Sequence, residues 1–165
     1  MLKMNKKPGN KKDTSGVFSS CSGVTVVEIN CVVLIIAIIS LIAAPSVNRY
    51  IEATRLRAAT RELVSDMMKA RMASVGKNRT SKIIFTGSNE YSIVTDLNKN
   101  GVFEQNEIIE TKNFSVSFSG VSIAADADAD FSPRGTAASI QVRLTNATGT
   151  LIVSVNVAGR VKIES

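Results

Sequence analysis

From Ile29 to Val47 no side chain carries a charge, and Cys31–Ala44 reads CVVLIIAIISLIAA, almost wholly apolar. Counted from Val24 to Ala44, the stretch is about 21 residues and about 30 Å long as a helix, enough to cross the hydrocarbon core of a bilayer. Lys3, Lys6, Lys7, Lys11 and Lys12 lie before it and no basic residue follows it directly. That asymmetry holds the N-terminal side in the cytoplasm and places the rest outside. Residues 1–23 are basic, then rich in Ser and Gly, and have no apolar periodicity, so they read as a solvated leader.

Beyond the apolar run the pattern turns amphipathic. Val47 and Ile51 stand four apart, and Leu56, Ala59, Leu63, Met67 and Ala70 continue the three-and-four spacing of one helix face. Arg49, Arg55, Arg57, Arg61 and Asp66 fall on other faces, and Gly76 is the expected C-cap. The two segments together predict one rod of about 50 residues, roughly 75–80 Å long. After Gly76 the period becomes two. Strands are predicted at Lys82–Thr86, Tyr91–Thr95, Glu107–Lys112, Phe114–Phe118, Ile140–Asn146, Leu151–Val157 and Val161–Glu164, with turn signals at Asn100-Gly101 and Thr148-Gly149. Neither the helix stripe nor the sheet face can be buried alone, so each should cover the other. The expected class is α+β. A helix with a transmembrane half (24–45) and an amphipathic half (46–76) packs on an antiparallel β-sheet head (77–165).

Composition narrows the chemistry. The chain has no histidine and no tryptophan, which removes the commonest general base and metal ligand, along with histidine-dependent triads. An enzyme is not expected. The net charge of +6 is concentrated in the leader, since the region after Gly76 holds nine basic and nine acidic side chains. The two cysteines, Cys21 and Cys31, lie in or beside the apolar region, so the head has no disulfide to draw on.

An ordinary secretory signal fits poorly here. Glu28 and Asn30 interrupt the head of the apolar run, and Pro45 follows the only small-residue exit, Ala43-Ala44. Gly23-Val24-Thr25-Val26-Val27-Glu28, between a basic leader and a long apolar run, instead resembles the type III signal of type IV prepilins, with Val24 where phenylalanine is usual. The resemblance implies that a prepilin peptidase cuts between Gly23 and Val24 and that the new N-terminus is methylated. Glu28 then becomes the fifth residue of the mature chain and Pro45 the twenty-second. A carboxylate inside an apolar slab is costly without a partner. The resemblance supplies one for Glu28, the charged N-terminus of a neighbouring subunit, so that the pair sets the stagger between subunits. Pro45 lacks an N–H and crowds the carbonyl of Leu41. It reads either as a static kink or as part of a segment that unwinds on packing.

The resemblance continues past the helix. Leu63–Ala73 (LVSDMMKARMA), Phe131-Ser132-Pro133-Arg134-Gly135 and Gly159-Arg160-Val161 are similar to three places in the domain shared by H-type pseudopilins and T-type minor pilins, the GspH/FimT domain. It implies a structural minor subunit of a type IV pilus or of a type II secretion pseudopilus, with no required cofactor. Such a subunit is anchored in the inner membrane by one pass, with its head in the periplasm, and then enters a filament. Its implied partners are other pilin or pseudopilin subunits, the prepilin peptidase and the membrane.

Two head segments suggest ligands. Asp96, Asn98, Asn100, Gly101, Val102, Glu104 and Glu107 fit the D-x-[DN]-x-[DN]-G-x5-E calcium loop, with oxygen side chains at Asp96, Asn98, Asn100, Glu104 and Glu107 and a backbone carbonyl at Val102. Strands rather than helices flank it, so the competing reading is a polar β-hairpin around Asn100-Gly101. Arg160 and Lys162 stand two apart on the last strand, and with Arg134 they suggest a basic surface for DNA backbone contact. The alternatives to a filament subunit are therefore a pilus-associated DNA-uptake receptor and a membrane-anchored calcium module.

Overall fold

The computed structural model describes residues 23–164, apart from the side chains of residues 42–45. The chain divides into two compact units, Met1–Ser40 and Leu41–Ser165. Helix α1 runs from Val26 to Lys77, 52 residues. It begins where Thr25 can cap it, because the Thr25 hydroxyl accepts the Glu28 N–H at 3.2 Å and satisfies one donor that the first turn leaves free. From Val26 to Ile39 the large apolar side chains remain 49–79% exposed.

In the second unit the predicted stripe of α1 is the buried one. Leu56, Ala59, Leu63, Met67 and Ala70 are at most 4% exposed, but Val47 and Ile51, assigned to the same stripe from sequence, are exposed. The helix ends on Asn78 rather than on Gly76. Asn78 adopts φ 51°, its N–H donates to the Val75 carbonyl, and the Arg79 N–H donates to that of Ser74. This is the reciprocal pair of bonds that closes a helix on a left-handed residue, and asparagine tolerates that conformation.

Eight strands follow: β1 Ser81–Thr86, β2 Glu90–Thr95, β3 Ile108–Asn113, β4 Ser122–Ala125, β5 Ala129–Phe131, β6 Ile140–Asn146, β7 Gly149–Val155 and β8 Val161–Glu164. They form two antiparallel four-stranded sheets, in the orders β3-β2-β1-β5 and β4-β6-β7-β8. The stripe of α1 joins one continuous core with Ile83, Tyr91, Phe114, Phe131, Val142, Leu144 and Val153. The two sheets share the head expected to hold one. Strands β4 (SIAA) and β5 (ADF) are not expected from sequence, because they are short and their Ala, Ser and Asp residues have little β preference.

Phe114–Phe118, predicted as a strand, instead opens with the short helix α2, Phe114–Ser117. The two phenylalanines stand four apart, a spacing that suits either period. The Asn113 side chain decides by accepting the Ser115 N–H at 2.9 Å as a cap. Phe114 then stacks edge-on between Tyr91 and Phe118, with centroids 5.4 and 5.2 Å away.

Candidate functional site

The residues at the start of α1 are well placed for contact with other molecules. Gly23 and Val24 precede the helix in non-helical backbone and are exposed, and Glu28 lies exposed in the first turn. A carboxylate there also complements the helix dipole, so Glu28 has a local role besides any partner. Pro45 falls within α1, but its side chain lies outside the described residues. Among the described residues no single helical stretch is long and apolar enough to cross a membrane, and Val26–Leu41 with Ser46–Lys77 reach that size only together.

The Asp96–Glu107 segment is a closed loop held by its own side chains. Asp96 accepts the N–H groups of Lys99 at 2.7 Å and Gly101 at 3.1 Å. Asn98 accepts that of Asn100 at 2.9 Å, and Asn100 that of Val102 at 2.7 Å. Glu107, buried at the far end, accepts Leu97 and Asn98 through one oxygen and Glu104 through the other. Glu104 itself accepts the Asn100 amide at 3.3 Å. Both carboxylate oxygens of Asp96 and Glu107 and the amide oxygens of Asn98 and Asn100 thus already serve backbone donors, and among the described residues no group of three or more His, Cys, Asp or Glu side chains is arranged to hold a metal.

The three head motifs meet at one place, which sequence alone did not reveal. Arg71, on the helix segment, donates from Nε to the Gly135 carbonyl at 3.0 Å and from its terminal nitrogen to the Ala158 carbonyl at 3.1 Å. Gly159 (φ 70°) packs against Gly135 so closely that a Cβ on it would lie 2.1 Å from the Gly135 oxygen. Glycine is required at Gly159 by conformation and by space together. Two open grooves flank this clasp. One is lined by Met68, Arg71, Met72 and Arg160, the other by Arg71, Met72, Val75 and Arg134. Arg160 is not on the strand as predicted. It stands one residue before β8, where the Asn156 side chain accepts its N–H at 2.9 Å. Lys162 lies on β8 opposite Ser154 and is exposed. Arg134 and Arg160 each line one of the two grooves that share Arg71, and Lys162 lines neither.

Asp66, which its spacing places off the apolar stripe, is nevertheless fully buried. It accepts Lys69 at 2.8 Å and the Tyr91 hydroxyl at 2.7 Å, and Lys112 stands 3.0 Å away while also bonding Glu62 at 2.6 Å. Burial pushes the Asp66 carboxyl up, but hydrogen bonds from Lys69, Tyr91 and Lys112 outweigh it and hold the group below the usual carboxylate range. Burial and the Asp66 charge both push Tyr91 up. Burial favours neutral Lys112, yet Glu62 and Asp66 raise it overall. The network pins β2 and β3 to α1. It is a structural staple of the core rather than a reactive site.

Residues 59–159 match the family described as Type II transport protein GspH. Two crystal structures of the type IV minor pilin FimU of Pseudomonas aeruginosa, from different crystal forms, share the fold at 17% identity. One has a TM-score of 0.55 and covers 70% of this chain and 92% of that one. The other has a TM-score of 0.51 and covers 66% and 92%. No curated protein matches the chain.

Proposed function

The chain belongs to the GspH family of type II transport proteins, and on that premise we propose that it is a minor structural subunit of a type IV pilus or a type II secretion pseudopilus. A pilin-like subunit of this family is not an enzyme, in keeping with a chain that has no histidine. The observation that carries the reading is α1. Its C-terminal half buries a stripe in the head, while the apolar side chains from Val26 to Ile39 remain exposed among the described residues. About 25 cal/mol for each Å² left in water favours covering them with lipid before assembly and with neighbouring helices after it. Processing between Gly23 and Val24, methylation of Val24, a single pass through the inner membrane and a periplasmic head complete the proposal. The exposed, non-helical Gly23–Val24 bond is accessible to a peptidase.

Mass spectrometry of the protein from its own membranes tests the processing step. The expected N-terminus is methylated Val24, and Gly23→Lys leaves the leader attached. An intact Met1, or a start near Pro45, overturns the prepilin reading. The DNA-uptake alternative, on Arg134, Arg160 and Lys162, instead predicts cross-linking of this face to nuclease-sensitive material.

A further inference from the structure

Met68, Met72 and Val75 project from the helix into solvent, 47%, 73% and 53% exposed, beside the clasp that holds Gly135 and Gly159. Arg71 contributes to both grooves, and Arg134 and Arg160 flank them, with no carboxylate in either lining. An apolar centre containing two methionines within a cationic rim has the composition of a protein interface. Contact with a nucleic-acid backbone needs only the charge.

We propose that these two grooves form a docking site for an apolar segment carrying carboxylates, contributed by a different subunit of the same filament. Charge complementarity selects the acidic partner. The head of a second copy is a poor source, because its carboxylates outside the Asp96–Glu107 loop are engaged: Asp126 with Arg143, Asp128 and Asp130 with Lys82, Glu110 with Lys112, Glu90 with Asn113 and Glu164 with Ser154. The Arg71 guanidinium, anchored on two carbonyls, presents a fixed face to the ligand. Its preorganisation reduces the ordering cost of binding. The proposal rests on the filament-subunit reading and specifies one of its contacts.

The test uses the full chain in the cells that make it, with a photoactivatable benzophenone residue at Met72 and a control probe at Val116, which is 85% exposed elsewhere on the head. The Met72 probe is expected to yield an adduct with another protein in the filament fraction. Mass spectrometry should map it to a segment that combines apolar and acidic side chains. Reversing charge with Arg134→Glu and Arg160→Glu should lower the adduct yield about tenfold or more, as expected when close charge pairs are opposed, while Arg134→Lys with Arg160→Lys retains it. The proposal is overturned by an adduct with a second copy or with nuclease-sensitive material. No Met72 adduct from a chain that does enter the filament fraction overturns it too, as does a yield indifferent to charge reversal. A wild-type chain absent from that fraction overturns the parent reading instead, and fractionation alone distinguishes the two failures.

Discussion

Asp66 carries more of the head's stability than its charge suggests. Removing one partner of a buried ion pair strands the other, so Asp66→Ala is expected to destabilise a chain beginning at Ser46 by about 3–5 kcal/mol. The folded carboxyl lies below its unfolded value of about 3.9, so its contribution is present above that pH and is lost as pH falls through the lower folded value. Lys112 and Tyr91 are raised in the fold, so their contributions hold below about pH 10 and fade as pH rises through the folded values. Urea midpoints measured against pH should show a plateau between those limits, and Asp66→Asn should flatten the acid limb. At Gly159, alanine meets both a left-handed backbone and the Gly135 carbonyl. Its expected penalty is about 2 kcal/mol or more, read from the same midpoints. Neither role was visible in sequence: Arg71 and its carbonyl partners are 64 and 87 positions apart, and Asp66 reads as polar until Tyr91 and Lys112 arrive beside it.

Among the elements, those set by local periodicity were legible and those set by partners were not. The stripe Leu56–Ala70 and the strands β6 and β8 follow from apolar spacing alone. Strands β4 and β5 exist because β6 and β1 offer them ladders, and Phe114–Ser117 turns helical because Asn113 caps it. The Asp96–Glu107 segment matches a cation-binding pattern, yet hydrogen bonds alone already close it. Asp96→Ala should therefore cost about 1–3 kcal/mol in calcium-free buffer, since it strands the Lys99 and Gly101 donors. A melting temperature of the wild type that rises with millimolar calcium, while that of Asp96→Ala does not, would add an ion to this frame.

At the scale of the molecule, α1 carries exposed apolar side chains from Val26 to Ile39 and a buried stripe from Leu56 to Ala70. Glu28→Ala makes the uncovered part more apolar, so the mutant should still fractionate with membranes. Loss of the carboxylate should lower its share in purified filaments, and incorporation equal to wild type would reduce Glu28 to its role in the first turn. The Asn100-Gly101 pair sets a limit on how such a subunit ages. Deamidation needs the Gly101 nitrogen to attack the Asn100 side chain, and asparagine is among the thermolabile residues. In the folded head that nitrogen donates to Asp96, while both ends of the Asn100 amide are tied to Val102 and Glu104. The same bonds that shape the loop thus act as a chemical preservative, slowing the spontaneous conversion of Asn100 to an acidic residue for as long as the subunit stays folded.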